Sequence, residues 1–361
     1  MVLIIITISF IFIYLLYPLW LREHKIFSFD ETQIKEVNNI TVVYLSQNYA
    51  EGLRNKIPFL LDEISCFENS ELIIIDDAST DDTAEILKSF THCNLRVEII
   101  ENSKGIPHSM NLGVKLSSYQ NIVFCDQRQI LEKGIIKKLV EPLKYDGVGM
   151  VSSCISSYDK INKFHLLRAH ENYIKQLEGQ TGNLIGVYGP LYAIKKDCYH
   201  EIPGNIIIDD LYLTLCILDS KQVIFKNDCK TIDDNFDLLY SYKRSKRYLS
   251  GFFQILNEKA LITKLSKRQK TMLFWHKYFR IPIPLLIVCC YLYLGLDSFY
   301  NQNSFLLFLV FSFLCMSALV PINLKIFRPI RSVVRLVSFY SLAIIELFFR
   351  SLILKQNIYE K

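Results

Sequence analysis

Polar side chains follow three apolar segments of this chain, at the points where predicted strands end. Gln47-Asn48 follow the first segment, Asp76-Asp77 the second, and Asp126 a later one. Ligands of open α/β sheets bind at the carboxyl ends of the strands, so we expect these side chains to meet at one edge. A carboxylate there can accept a hydrogen bond from a base N–H or a ribose hydroxyl. The spacing therefore indicates a nucleotide site.

Helix capping is the alternative explanation for part of this acidic chemistry. Ser79 and Asp82 have the spacing of a capping box. That pattern leaves Asp76 and Asp77 unexplained, because they precede the cap. A second acidic pair, Asp209-Asp210, opens a predicted helix, where one of the two aspartates could serve as the N-cap.

Strands and helices alternate through the middle of the chain. Predicted strands cover Ile40–Ser46, Glu71–Asp76, Leu95–Glu101 and Asn121–Asp126. Predicted helices cover Glu51–Phe67, Asp81–Phe90, Pro107–Leu116, Glu132–Leu143, Lys163–Leu177 and Asp210–Leu218. Strands rich in Ile and Val between amphipathic helices predict an α/β fold with a parallel sheet covered on both faces. We predict one domain over 38–260, with a nucleotide half at 38–145 and an acceptor half at 146–260.

The order of these motifs resembles the family 2 inverting glycosyltransferases, which have the glycosyltransferase-A fold and include bacterial polysaccharide synthases. The segments that carry the resemblance are Thr41–Asn48, Leu72–Asp81, Lys104–Gly113, Ile122–Asp126, Gly189–Lys195 and Asp209–Leu213. Single acidic motifs are common in unrelated proteins, whereas six segments in the family's order are specific.

The resemblance implies a nucleotide diphosphate sugar donor, by analogy a UDP-sugar, and a divalent cation, Mg²⁺ or Mn²⁺, bound at Asp126. It implies Asp210 as the catalytic base, with Asp209 beside it. The nucleotide sugar would contact Asn48, Asp76, Asp77, Lys104, Asn111, Asp126 and Arg128. The acceptor or the diphosphate would contact Gly189, Tyr192, Arg244, Arg247 and Tyr248.

Two departures from the family pattern bear on the mechanism. The usual Asp-x-Asp is Asp126-Gln-Arg128 here, so an Arg that could bind a phosphate directly replaces the second acid. The usual Gln-x-x-Arg-Trp appears as Arg244-Ser-Lys-Arg247-Tyr248. A Tyr gives an acceptor sugar a narrower stacking surface than a Trp does. Addition of one sugar, or of a short run, is therefore as credible as polymerisation. A basic surface at the lipid headgroups would explain this segment equally well.

Apolar residues, 51% of the 361 residues, concentrate at the two ends of the chain. We predict an N-terminal transmembrane helix at 1–21, followed by Arg22 and Lys25 on the cytoplasmic side. A secretory signal fits less well, because the segment lacks a basic start and a small-residue cleavage site.

The C-terminal third predicts further contact with the membrane. A basic interfacial helix is expected at 261–280 and a membrane region of two or three helices at 281–352, with spans at Ile281–Leu296 and Phe305–Leu324. Val333–Leu352 carries three charges and could span or lie in the interface. The loop Tyr300–Ser304 has no basic residue and is expected outside, whereas four basic residues after position 324 place the next loop on the cytoplasmic side.

Together these features predict a multi-pass protein of the cell (inner) membrane with a cytoplasmic catalytic domain. Its acceptor would be a saccharide or a lipid-linked saccharide, and polysaccharide export or synthesis subunits are possible partners. A net charge of +5 without a basic stripe argues against nucleic acid. The competing hypothesis is a catalytically silent relative that binds nucleotide and acts as a membrane scaffold.

Overall fold

A computed structural model describes residues 15–29, 34–157, 165–233, 238–302, 304–306, 308–309, 312, 337–338 and 341–347. The predicted elements of the middle region are present, with bounds that shift by a few residues. The strands are β1 (Asn39–Ser46), β2 (Asn69–Asp77), β3 (Leu95–Ile100), β4 (Asn121–Asp126), β5 (Ile130–Leu131), β6 (Val148–Ser157), β7 (Leu191–Lys195) and β8 (Gln222–Asp233).

Helices connect the strands and extend beyond them at both ends. They are α1 (Tyr17–Arg22), α2 (Ala50–Ile64), α3 (Thr83–Ser89), α4 (Ile106–Leu116), α5 (Ile135–Val140), α6 (His165–Gln180), α7 (Asp209–Ile217), α8 (Leu238–Asn257), α9 (Lys259–Lys264), α10 (Lys267–Leu273) and α11 (Ile283–Asp297). A π-helical turn, Phe274–Tyr278, continues α10.

The eight strands form one sheet in the order β3-β2-β1-β4-β7-β6-β8-β5. Strands β3, β2, β1 and β4 are parallel, as the sequence predicts for the nucleotide half. Beyond β4, where the sequence predicts no further strands, the sheet is mixed, because β7 runs antiparallel to both β4 and β6. The start of β7 therefore lies at the carboxyl end of β4, where it contributes to the site. The result is the mixed sheet of a glycosyltransferase-A fold.

Both faces of the sheet are buried, each against its own set of helices. Val42 and Tyr44 of β1 pack on one face with residues of α2 and α5. Val43, between them, packs on the other face with α4, α6 and α7. Side chains alternate across a strand, so the near-continuous apolar sequence of β1 supplies both cores.

The ends of the described chain pack against this domain. Tyr17 and Leu21 of α1 are buried in the second core, and the Tyr17 hydroxyl donates to Glu178 Oε1 at 2.7 Å. At the other end, Glu346 accepts hydrogen bonds from Tyr242 and Lys246 of α8. The charge of Glu346 thus meets polar partners on α8.

Among the described residues, no single helix has the length and hydropathy needed to cross a bilayer. The helical segments Lys267–Tyr278 and Ile283–Asp297 have that length and hydropathy only when taken together, and the pair is bent by 47° at the break between them. The predicted segment 1–21 lies outside the described residues up to position 14, as do most of Phe305–Leu324 and Val333–Leu352.

Candidate active site

A cavity of about 340 Å³ opens at the sheet edge where β1, β2 and β4 end. Most of the residues predicted for the site line it. These are Asp77, Asp126, Arg128, Gly189, Tyr192, Asp209, Asp210, Arg244, Arg247 and Tyr248. The structure therefore joins strand ends, the start of α7 and the middle of α8 around one space.

Asp77 lies at the end of β2 and organises the glycine-containing turn before α4. Its carboxylate accepts from Ser103 Oγ at 2.7 Å, from Lys104 N at 3.0 Å and from Gly105 N at 3.1 Å. Gly105 has φ of +85°, a conformation that a residue with a β-carbon rarely adopts. Asp77 thus fixes the turn at the mouth of the cavity, and Lys104 joins it through its backbone.

Asn48 and Asp76 hold neighbouring loops together and do not line the cavity. Asn48 adopts φ of +51°, and its Oδ1 accepts from Thr80 N at 2.7 Å. Asp76 accepts from the hydroxyl and the backbone N–H of Ser79. Burial raises the pKa of Asp76, and the hydrogen bonds from Ser79 oppose that rise. Both residues shape the loop that a nucleotide would meet.

The capping box predicted from Ser79 and Asp82 does not form. Helix α3 has Asp82 at its N-cap position without a side-chain capping bond, and Ser79 bonds to Asp76 instead. Asp81 holds the helix starts instead, since its carboxylate accepts from Thr83 N, the first residue of α3, and from Ala50 N, the first residue of α2.

Asn111 of α4 also lies away from the cavity lining. Its Nδ2 donates to Ile202 O at 2.9 Å, and its Oδ1 accepts from Tyr199 Oη at 2.7 Å and Ile202 N at 3.0 Å. These bonds attach α4 to the segment after β7. A direct contact of Asn111 with a nucleotide stays a prediction.

Asp126 and Arg128 face each other at the end of β4. Arg128 Nη2 lies 3.5 Å from Asp126 Oδ2, and both side chains are about one-third exposed, at 40% and 33%. Gln127 between them exchanges hydrogen bonds with the backbone of Gln47. The replacement of the family's second acid by Arg thus gives the cavity an ion pair next to a partly exposed carboxylate.

Gly189 and Tyr192 reach the site because β7 is antiparallel. Asp126 N donates to Pro190 O at 2.9 Å, which brings the start of β7 beside the end of β4. Tyr192 is 1% exposed, and within the described residues its hydroxyl has no hydrogen-bond partner. An unpartnered buried hydroxyl at a cavity wall is available to a bound molecule.

Asp209 and Asp210 are the first two residues of α7. Ile208 occupies the N-cap position without a side-chain capping bond, so neither acid is the N-cap. Asp210 Oδ1 does accept from Leu211 N at 2.8 Å, a backbone N–H of the first turn. Burial and the adjacent Asp210 raise the pKa of Asp209 to about 7. Arg247, whose Nη2 lies 4.0 Å from Asp209 Oδ1, opposes that rise. Two carboxylates in one cavity, one of them titrating near neutrality, are typical of a catalytic pair.

Asp210 differs from Asp209 in its position. A second cavity of about 320 Å³ adjoins the first, and Asp210 lines both, whereas Asp209 lines only the first. Gly189, Pro190, Arg244 and Tyr248 are the other shared wall residues. Asp210 therefore lies where a molecule in one cavity would meet a molecule in the other.

Helix α8 covers the junction of the two cavities with Arg244, Arg247 and Tyr248. Arg244 Nη2 donates to Tyr248 Oη at 3.3 Å, and Arg247 Nη2 donates to Ile207 O at 3.3 Å. The Tyr248 ring stacks on Phe252, with the ring centroids 6.4 Å apart. This packing puts the basic segment at the cavity. It gives Tyr248 a fixed aromatic face next to Asp210.

Some lining residues were not predicted to belong to the site. Ser46 and Gln127 line the first cavity, and Gln47 does so after being noted only as a polar strand end. Lys175, Lys277 and Arg280 line the second cavity. Their positions on α6 and after α10 leave no local signal, because the two segments meet only through the tertiary fold.

The donor set suits a cation that arrives with a diphosphate. Within the described residues no group of three His, Cys, Asp or Glu side chains could hold a metal by itself. Mg²⁺ is commonly bound by one or two carboxylates plus phosphate oxygens and water. The partly exposed carboxylate of Asp126 fits this arrangement. Phosphate oxygens of the diphosphate and water would supply the remaining ligands.

Residues 41–202 match the model of the family Glycosyl transferase family 2, and this region is a domain of that family. The chain is 26% identical over 251 residues to Glycosyltransferase GlyA of Streptococcus pneumoniae serotype 4, covering 64% of this chain and 34% of that protein. It is 27% identical over 118 residues to the poly-beta-1,6-N-acetyl-D-glucosamine synthase of Staphylococcus aureus, covering 32% and 28%. The chain thus spans about a third or less of these two relatives.

A solved structure shares the fold over nearly the whole chain. It is the mannosyltransferase PcManGT from Pyrobaculum calidifontis in complex with GDP-Man and Mn²⁺. The TM-score is 0.77 at 16% identity, with 96% of this chain and 97% of that chain covered. The likeness confirms the glycosyltransferase-A fold.

Proposed function

We propose that this protein is an inverting, membrane-bound glycosyltransferase. It takes a sugar from a nucleotide diphosphate sugar, by resemblance a UDP-sugar, and transfers it to a saccharide or lipid-linked acceptor in cell-surface glycan synthesis. The observation that carries the proposal is the cavity shared by Asp126, Arg128 and Asp210. It combines groups suited to a diphosphate with a carboxylate suited to an acceptor hydroxyl.

The reaction follows from the placement of these groups. Asp210 removes the proton of the acceptor hydroxyl, whose oxygen attacks the anomeric carbon from the face opposite the nucleotide. The bond from that carbon to the diphosphate breaks, and its electron pair leaves with the nucleoside diphosphate. Arg128 stabilises the departing charge directly. Mg²⁺ or Mn²⁺ at Asp126 would supply further neutralisation of the diphosphate.

The membrane setting is part of the proposal. Arg22 and Lys25 after the apolar N-terminus, together with the basic loop after position 324, support a cytoplasmic catalytic domain on the cell (inner) membrane. Polysaccharide export or synthesis subunits are proposed partners, because one matched relative is a polysaccharide synthase.

A catalytically silent scaffold is the second candidate. The observation in its favour is the ion pair between Arg128 and Asp126, which occupies the carboxylate that a cation would need. Hydrolysis separates the two functions, since a silent scaffold binds a nucleotide without cleaving it.

The experiment is a hydrolysis screen of the purified full-length protein against a panel of UDP- and GDP-sugars, with and without Mn²⁺. Release of nucleoside diphosphate from at least one donor is expected, and mass spectrometry of products with added acceptors then identifies the sugar transferred. Binding of a nucleotide without any release across the panel would favour the scaffold.

A further inference from the structure

The second cavity is rich in cationic side chains. Five basic residues line it against two acidic ones, Glu171 and Asp210. The basic residues are Arg168, Lys175, Arg244, Lys277 and Arg280. They come from α6, from α8 and from the segment after α10, so the concentration of charge is a product of the fold.

Lys175 and Lys277 approach each other across Gly186. Lys175 Nζ donates to the carbonyl oxygen of Gly186. Lys277 Nζ lies 3.8 Å from the position that a β-carbon on Gly186 would occupy. Burial and the charge of Lys277 lower the pKa of Lys175 to about 7, and Glu171, Glu178 and Asp210 oppose that fall. An anion bound beside Lys175 would therefore offset the burial and the repulsion that this ammonium group meets.

The acid on α6 is already engaged. Glu171 Oε1 lies 2.7 Å from His276 Nε2, and its Oε2 accepts from Arg280 Nη1 at 2.7 Å. Burial by itself would raise the pKa of Glu171, but His276, Lys277 and Arg280 hold it well below its usual range. Glu171 thus balances part of the charge, and it stays anionic while doing so.

His276 fixes the position of this cluster. Its Nδ1 lies 2.7 Å from Glu178 Oε1, which also accepts from Tyr17. The imidazole is therefore held between two carboxylates of α6. Lys277 and Arg280 follow it directly in the chain, so the cationic wall is built on a rigid support.

We propose that the second cavity binds the phosphate of a phosphorylated acceptor, and that the acceptor's reacting hydroxyl lies at Asp210. This inference rests on the proposed transfer reaction and names the class of its acceptor. Planar guanidinium groups and ammonium groups together are suited to a phosphate, which they bind by charge-assisted hydrogen bonds.

The phosphate takes no part in the bond changes of the transfer. The hydroxyl oxygen forms the new bond to the anomeric carbon, its proton moves to Asp210, and the nucleoside diphosphate leaves with the electron pair of the broken bond. The phosphate positions the acceptor and is unchanged in the product.

The phosphate could belong to a lipid or to a soluble sugar phosphate. Ile281 lines the cavity, and the apolar helix α11 begins two residues later, at Ile283. Three apolar side chains further along this helix are exposed: Leu292, Tyr293 and Leu296. An apolar chain could continue along that helix. Dodecyl phosphate and glycerol 3-phosphate share the charged group and differ in the chain, so they distinguish the two sources.

The test is calorimetric binding of both probes, and of uncharged dodecanol, to the full-length protein. Lys175→Met keeps the bulk of a side chain that lines only the second cavity. Exposed Lys267 on α10 supplies the control Lys267→Gln, which changes the same charge outside the cavity. We expect Lys175→Met to weaken dodecyl phosphate binding about tenfold, the effect of one charged hydrogen bond, with Lys267→Gln unchanged.

Lys175→Met also removes a buried charge, which could alter folding by itself. Lys277→Gln therefore tests the same cavity at a residue of the π-helical turn, and it should weaken dodecyl phosphate binding similarly. Equal binding of both phosphates assigns a soluble acceptor, whereas preference for dodecyl phosphate assigns a lipid. Either result supports the phosphate site. Dodecanol binding as tightly as dodecyl phosphate, or no loss in either variant, overturns it. Nucleotide-sugar hydrolysis in the same preparations tests the transferase proposal separately, so the two failures are distinguishable.

Discussion

Arg128 Nη2 lies 3.5 Å from Asp126 Oδ2, so the last residue of β4 and the Arg two positions after it form an ion pair in the first cavity. A diphosphate can bind both partners, through the guanidinium and through a cation on the carboxylate. Cation and arginine therefore make separable contributions to the same leaving group.

The first prediction separates those contributions. Asp126→Ala should lower the rate of sugar transfer about 10²–10³-fold and abolish its dependence on Mg²⁺ or Mn²⁺, as expected when a group that stabilises developing charge is lost. Arg128→Ala should weaken nucleoside diphosphate binding about tenfold even in the presence of a chelator. Initial rates and calorimetry measure the two effects.

Asp62→Ala and Arg96→Ala are the matched controls, because both residues form exposed ion pairs outside the cavity. Neither should alter transfer. Activity that survives chelation in the wild type but disappears in Arg128→Ala would show that arginine replaces the cation, and the metal part of the mechanism would be wrong.

The second prediction concerns the base. Asp210→Asn keeps the size of the side chain and removes its ability to accept a proton. Transfer should fall about 10²–10⁴-fold, whereas affinity for the nucleotide changes little. Asp209→Asn should lower the transfer rate less, because Asp209 lines only the first cavity. Near-normal transfer by Asp210→Asn with unchanged nucleotide binding would remove Asp210 from the mechanism.

The third prediction follows from the space beside that base. A β-carbon on Gly189 would lie 3.2 Å from Asp210 Oδ2, so the carboxylate must shift to accommodate it. The shift needed is a few tenths of an ångström, smaller than the displacement of about 1 Å that can cost about 10²-fold, so Gly189→Ala should lower kcat about threefold to tenfold. The control is Gly204→Ala, where nothing lies within 4 Å. Equal kcat values for the two variants would contradict the proposed position of the base.

The fourth prediction uses the pKa of Asp209, which is raised to about 7 by burial and by Asp210. The folded protein holds this proton more tightly than the unfolded chain, so folding loses stability as pH rises from about 4 to 7. Asp209→Asn has no such loss. The Tm of the variant relative to the wild type should therefore be higher at pH 8 than at pH 5, by about 2 °C or more.

Thermal unfolding at the two pH values measures this difference. Arg247 and Asp126 also face Asp209, with opposite effects on its pKa. If Arg247 dominated, the ionised carboxylate would be stabilising, and the variant would lose Tm at pH 8. That sign would contradict the shared burial of the acidic pair.

The fifth prediction tests the topology. Ile330→Cys lies in the basic loop that is expected inside, and Gln302→Cys in the loop without basic residues that is expected outside. An impermeant maleimide added to intact cells should label Gln302→Cys above the wild-type background and leave Ile330→Cys at that background. Labelling of position 330 would overturn the proposed orientation.

The sequence by itself determined the nucleotide half of the fold and the residues at its strand ends. Apolar runs such as Ile73–Ile75 can be buried only between two helical layers, and the polar residues after them must then lie at one edge. Asp77 and Asp126 were found in this way. Asn48, Asp76 and Asn111 were also singled out, and the structure shows them holding loops together rather than lining the cavity.

Only the tertiary structure decided how β7 and the second cavity are arranged around Asp210. The antiparallel direction of β7 brings Gly189 to Asp126 and Asp210, and no local pattern specifies a strand's direction. Lys175 and Lys277 lie about a hundred positions apart in the chain, yet both line the second cavity. Periodicity records which side of an element is buried, whereas a cavity depends on which elements pack together. The second cavity can therefore be identified only after folding.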